Sequence, residues 1–298
     1  MGVTILNGLF LVEARAAGAR FDATLTLGRI NCFLTPTDLR RIAAALSKID
    51  SQAASTMNGD MPRYMDEFFI ALGAKRLDAL DASDFEHAQL IHDLNEPLPE
   101  RLHGQYDAVV DAGTLEHVFN VPTAFRNVMD ALKVDGHFLA LLPANNQCGH
   151  GFYQFSAEFF YRTFCAENGF EVVRLVVAPI YAGRRWLDGP AFDVADPETM
   201  GDRVNIAGRK QLVFMLHARK LAQTRIFKKW PQQSDYVAAW SATDQTPALP
   251  LVARRRSLKW LRRHVGALVH WSVRTYERWV WVRQSRSNRA LKPHKWMY

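Results

Sequence analysis

In YDAVVDAGTLEHVFN, residues 106–120, an apolar run ends on Asp111, a small Ala112-Gly113-Thr114 turn follows, and then comes the acid/imidazole pair Glu116-His117. A carboxylate that closes a buried strand is costly unless it is solvated or paired. Asp111 therefore marks either a wet cleft or a built turn. The Gly113-Thr114 turn lets backbone come close to a ligand. Imidazole titrates near neutrality, which makes His117 a candidate base, with Glu116 capping or orienting beside it. A second imidazole, His150, lies in NNQCGHGFYQFS between Gly149 and Gly151. It is suited to taking a proton from a substrate hydroxyl, and the flanking glycines equally read as a simple loop. Two more acids close apolar runs of their own: Asp81 in RLDALDAS and Asp93 in HDLNEPLP. Their plain readings are a helix cap, shared with Ser83 or Asp84, and a turn acid. The cysteines, Cys32, Cys148 and Cys165, are widely spaced, with no CxxC pair and no Cys/His ligand spacing. Neither a disulfide framework nor a metal site is expected, and a reducing cytoplasm is the simplest compartment.

The elements that must position these residues alternate. DATLTL (22–27), RLDALDAS, QLIHDLNEPLP, YDAVVDA, HFLALLP, EVVRLVVA and KQLVFMLHAR (210–219) read as strands. TPTDLRRIAAALSKI, capped by Thr35 or Thr37 with Pro36 in its first turn, reads as a helix. So do RYMDEFFIALGA, VPTAFRNVMDALKVDG and SAEFFYRTFCAENGF, whereas SQAASTMNGDMP reads as a loop. This rhythm argues for an α/β, doubly wound and mainly parallel sheet covered on both faces. Ligands of such sheets bind at the carboxyl ends of the strands, where Asp81, Asp93 and Asp111 fall.

At that point residues 22–218 resemble the class I S-adenosylmethionine-dependent methyltransferases. Three pieces in order carry the resemblance: HDLNEPLP after the third strand, VVDAGTLEHVFN after the fourth, and KVDGHFLALLPANN running into GHGFYQFSAEFFYRTFCAENGF. It implies a Rossmann-like methyltransferase fold with S-adenosylmethionine in the cleft. Asp81 would then accept from ribose hydroxyls and Asp93 from the adenine amino group, with the Leu94 N–H donating to the ring. Asp111, Gly113 and Thr114 would floor the cleft. Acceptor groups are handled after the fifth strand, which points to His150, with Tyr153 and Gln154 lining the pocket. The Glu-His pair is commonly structural in that family. The sequence departs from it at the first strand, which normally runs into a Gly-x-Gly loop; here LTLGRINCF keeps Gly28 alone beside Arg29, Ile30 and Asn31. The implied activity is methyl transfer to a small-molecule or glycan-like acceptor. The alternative is a non-catalytic scaffold or binding protein of the same fold, attached to membrane through its basic tail and favoured if Arg29 or Ile30 fills the cleft.

Charge divides the chain. Residues 219–298 hold 18 Lys/Arg against Asp235, Asp244 and Glu277, a net +15; the first 218 residues hold 19 against 27, a net −8. The division suggests a methyltransferase-like domain, 1–218, and a basic, Trp-rich C-terminal extension, 219–298. Within the extension, residues 254–283 interleave Arg and Lys with Trp, Leu and Val at helical spacing. The longest uncharged run there is ten residues, between Arg263 and Arg274, too short to span a bilayer. An interfacial helix on an anionic membrane surface is the expected role, with a helix packed on the domain as its plain alternative. No base-reading motif accompanies the charge, so nucleic acid is not the expected partner. The first twenty residues lack a basic stretch before their apolar run and make a poor secretory signal. Leu6 stands where a myristoylation signal needs Ser or Thr.

Overall fold

The computed structural model describes residues 2–57, 62–180, 190–206, 208–241 and 290–296. β1 (Gly2–Val3) and α1 (Ile5–Ala16) open the chain, followed by β2 (Ala23–Leu27), β3 (Asn31–Cys32), α2 (Pro36–Ser47), α3 (Ser51–Ser55) and α4 (Asp66–Ala71). β4 (Arg76–Asp81), β5 (Leu90–Ile91) and β6 (Tyr106–Asp111) come next. Then α5 (Val121–Ala131) runs straight into β7 (Leu132–Asn145). α6 (Ala157–Thr163), β8 (Phe170–Pro179), β9 (Phe192–Val194), α7 (Pro197–Met200), β10 (Leu212–Lys220), α8 (Ser234–Ser241) and β11 (Leu291–Pro293) complete the order.

Among the described residues one sheet of nine strands runs β5-β4-β2-β6-β7-β10-β8-β9-β11. The first five are parallel neighbours. β10 lies antiparallel between β7 and β8, which leaves those two parallel to each other. β9 and β11 extend that edge as antiparallel strands. The sheet is mostly parallel and doubly wound, as the alternation of patterns implies. Its strands are apolar on both sides because each side meets helices. Ala108, Val110, Leu139, Val176 and Met215 pack under α1, α2 and α4. The alternate residues Val109, Phe138, Leu175, Val177 and Phe214 pack under α5 and α6, where Phe125, Phe160 and Phe164 fill the layer.

The structure adds to the sequence reading in several places. α1 is buried on nearly every side, so its apolar stretch is a core helix. Ser51–Ser55, expected as loop, forms a short helix because the Asp50 carboxylate accepts the Ala53 N–H at 2.9 Å and caps it. β10 continues through Lys220, and β11 returns to the edge of the same sheet. The buried Lys220 ammonium donates to the Met129 and Leu132 carbonyls, both at 2.8 Å, at the C-terminal end of α5. Residues 254–283 lie outside the described residues. No helix among the described residues is long and apolar enough to cross a membrane.

Candidate functional site

Strand register brings the sequence-marked residues to one edge. Leu27 pairs with both Leu80 and Asp111, Asp81 pairs with Ile91, and Asp111 pairs with Ala140. The carboxyl ends of β2, β4, β5, β6 and β7 are therefore level. The strand order reverses between β2 and β6, and open α/β sheets bind ligands at such a switch point.

Gly28 follows β2 with φ +72°, a backbone state open to glycine at little cost, and its N–H donates to the Leu80 carbonyl at 2.7 Å. The two side chains after it are committed elsewhere. Arg29 pairs with Asp66 at 2.8 Å and stacks on Tyr64, and Ile30 packs in the core under α1, α2 and α4. Half-buried Asp81 accepts the Ser83 N–H at 3.1 Å through Oδ1.

Asp93 is exposed, and its Oδ1 accepts both the Asn95 N–H (2.9 Å) and the Asn95 side-chain amide (2.8 Å). These bonds hold its carboxyl below the ordinary range. The turn is fixed from beneath. The Asn127 amide on α5 donates to the Leu94 and Glu96 carbonyls and its oxygen accepts the Leu98 N–H, while Asn120 bonds Asn95 twice. Leu94 itself is buried in the core.

Asp111 turns inward. At 2% exposure it accepts the N–H groups of Gly113 (3.0 Å), Thr114 (2.7 Å) and Leu115 (3.2 Å). Of the two readings its placement allows, this is the built turn. Burial raises its pKa, and the three N–H donors oppose the rise. Gly113 takes φ +102° to make the turn. The Thr114 hydroxyl donates to the Leu27 carbonyl at 2.8 Å, tying this loop to the end of β2.

The turn at Leu115–His117 then delivers Glu116 and His117, and the loop after β7 delivers His150. Glu116 is buried, with Oε1 3.3 Å from His150 Nε2 and 3.9 Å from His117 Nε2. Its Oε2 has no hydrogen-bond partner. Burial and the nearby Asp111 charge both push the Glu116 carboxyl upward. Burial, then the neighbouring His150, lowers the His117 imidazole, so its neutral form dominates at pH 7.

Around these groups the Tyr153 hydroxyl donates to the Phe119 carbonyl at 2.7 Å, and the Gln154 side chain accepts the Gln147 N–H, which engages it within its own loop. Exposed Phe119 and Phe152 meet edge to face at 5.7 Å. This aromatic pair and the burial of Glu116 are the site features that residue patterns alone do not show. Each phenylalanine stands two residues after one of the histidines, which is the only sequence signal for it.

A mostly parallel sheet with acids at the carboxyl ends of β4 and β5 is the arrangement that the resemblance implies. The fold is Rossmann-like: α/β, doubly wound and mostly parallel. Among solved structures the chain is similar to an S-adenosylmethionine-dependent methyltransferase of Thermotoga maritima, a possible histamine N-methyltransferase; identity is 14%, coverage 73% of this chain and 90% of that one, and TM-score 0.40. It is similar to N-methyltransferase NodS of Bradyrhizobium japonicum WM9 in complex with S-adenosylhomocysteine, at 14% identity over 73% and 86% of the two chains, TM-score 0.38. A third is TehB of Haemophilus influenzae, at 11% identity over 71% of this chain and 61% of that one, under two thirds of its length, TM-score 0.38. No protein-family model and no curated protein matches the chain. Likeness of this degree says nothing about activity.

Proposed function

We propose that this protein transfers a methyl group from S-adenosylmethionine to a small-molecule or glycan-like acceptor. The reading is carried by the row of polar groups along the switch-point edge: Gly28 after β2, Asp81 after β4, Asp93 after β5, and the Glu116, His117 and His150 cluster after β6 and β7.

The residues present fit the adenosine half of that cofactor. Asp81 and Asp93 stand at the strand ends where ribose and adenine groups would be held, and the Asn120 and Asn127 bonds fix the Asp93–Leu94 turn. At the other half Gly28 is the single glycine. Arg29 and Ile30 are committed to Asp66, Tyr64 and the core, which favours the enzyme over the scaffold. When bound, S-adenosylmethionine supplies an electrophilic methyl group on a sulfonium centre. The chain's own task is chiefly to align an acceptor. Phe119 and Phe152 give a sugar or ring face an apolar surface to lie on, and His150 or His117 takes up the acceptor's proton.

The test is calorimetric titration of the full chain with S-adenosylmethionine and with S-adenosylhomocysteine. Saturable binding of both is expected. Binding of neither would leave the scaffold reading in its place.

A further inference from the structure

Glu116 is the least satisfied group of the site. Its side chain is 1% exposed, one carboxylate oxygen has no partner, and the other faces two imidazole nitrogens. A buried carboxylate oxygen without a donor or cation is costly. The surrounding backbone nevertheless enforces the arrangement. The Phe152 and Tyr153 N–H groups donate to the Glu116 carbonyl at 2.9 and 3.2 Å, holding the His150 loop against the turn. A Cβ at Gly151 would lie 2.8 Å from that carbonyl oxygen and 3.2 Å from His117 Nδ1. The absence of a side chain there is what lets the two histidine-bearing segments close, with their rings 5.2 Å apart.

The geometry points to a divalent metal site in which Glu116, His117 and His150 each give one ligand atom to a first-row transition cation such as Zn²⁺. Their ligand atoms all lie within 4.8 Å of one another. Around a tetrahedral cation with bonds of 2.0–2.2 Å, ligand atoms stand roughly 3.3 Å apart. The Glu116–His150 pair already has that spacing, and His117 reaches it by rotating a half-exposed side chain. Two imidazoles and one carboxylate, without thiolate, suit Zn²⁺, Fe²⁺ or Co²⁺ better than Mg²⁺ or Ca²⁺, which take oxygen sets. Three protein ligands beside open solvent leave positions for water or for an oxygen or nitrogen of a substrate, the pattern of catalytic sites. No metal was expected from the sequence because it holds no CxxC pair and no Cys/His ligand spacing. These ligands come instead from adjacent residues on one loop and a third on the next. The site stands without the methyl-transfer reading. With a cation bound, the imidazoles hold metal, and the cation takes over lowering the acceptor's pKa.

The full chain, stripped with a chelator and dialysed, is titrated with Zn²⁺ and, for a spectroscopic readout, with Co²⁺. One equivalent should bind, and Co²⁺ should give visible d–d bands of a low-coordinate nitrogen/oxygen site. His117→Ala and His150→Ala remove half-exposed side chains and should fold, as circular dichroism would verify. Each should weaken binding about tenfold or more, and Glu116→Gln likewise. His103→Ala, just before the amino end of β6, should leave it unchanged. A wild-type chain that takes up no stoichiometric metal, or both histidine variants binding as tightly as wild type, overturns the assignment. S-adenosylmethionine titration of the same samples reads the methyl-transfer proposal separately, so either can fail alone.

Discussion

A carboxylate at the end of a strand has two physical fates, and this chain shows both. Asp111 gives its oxygens to three backbone N–H groups of its own turn, whereas Asp81 and Asp93 each keep Oδ1 on a local turn and stand nearer solvent. Substitution should separate them. Asp81→Ala and Asp93→Ala are each expected to weaken S-adenosylmethionine binding by roughly 1–3 kcal/mol, the worth of a charge-assisted hydrogen bond. Asp111→Ala should instead lower the unfolding midpoint, by on the order of 2 kcal/mol of stability, because it orphans the turn's donors. Calorimetry and denaturant unfolding on the three variants check this; binding unchanged in both Asp81→Ala and Asp93→Ala would count against the placement. The sequence marked all three acids, since an acid after an apolar run is visible in one dimension. Which way a carboxylate turns depends on the loop backbone, here Gly113 at φ +102°; the glycine is visible in the sequence, and the conformation it takes is not. The same limit hid the burial of Glu116, which the sequence marks only as a capping or orienting acid and over which the later loop closes.

At the scale of elements, most strands and helices near the site were legible because their periods are local. β2, β4, β6 and the Thr35-capped α2 follow alternation and capping rules directly. β11 was not, since three residues become a strand only by pairing with β9, far away in the chain. The reversed direction of β10 is likewise a tertiary fact, because its apolar run reads the same either way. The loop after β7 is the element that assembles the site, and its two glycines differ in an informative way. A Cβ at Gly149 would meet nothing within 4 Å, but at Gly151 it would collide with the Glu116 backbone. Gly151→Ala is therefore expected to push residues 150–153 off Glu116 and to cost about 1–3 kcal/mol, the usual range for overpacking. Gly149→Ala should be close to neutral. Urea unfolding of the pair reads the difference, and equal midpoints would show that the close approach at Gly151 does not exist.

Across the whole molecule, the C-terminal segment closes back on its beginning. His294, 2% exposed, bonds Asp193 at 3.2 Å and Glu13 at 3.1 Å, with Arg174 beside both acids and Trp296 against its ring. Burial alone would lower its pKa, but hydrogen bonds to Asp193 and Glu13 outweigh that and push it up to about 9. A histidine raised above its unfolded value of about 6.5 stabilises fully below that pH, and the contribution fades as pH rises through about 9. The stability difference between wild type and His294→Ala should thus be largest near pH 6 and shrink, by at most on the order of 3 kcal/mol, as pH rises through about 9. Parallel curves would mean that His294 does not hold a proton in the folded state. This closure shapes the test of the basic region before it, whose arrangement lies outside the described residues. We propose that residues 254–283 hold the protein on anionic membrane surfaces: they interleave Arg with Trp and Leu, and their longest uncharged run is too short to span. Each basic residue near such a surface adds about 1 kcal/mol of attraction, screened over a Debye length of about 8 Å at physiological salt. Ending the chain at Pro250 would also remove β11 and His294 from the sheet, so charge is the better variable. Arg254, Arg255, Arg256, Arg262 and Arg263 replaced together by Gln leave that edge in place. At low salt the unaltered chain should co-sediment with anionic liposomes and not with neutral ones, and added salt or the five substitutions should release it. An unaltered chain that stays in the supernatant with anionic liposomes at low salt ends the membrane reading and returns the region to a helix packed on the domain.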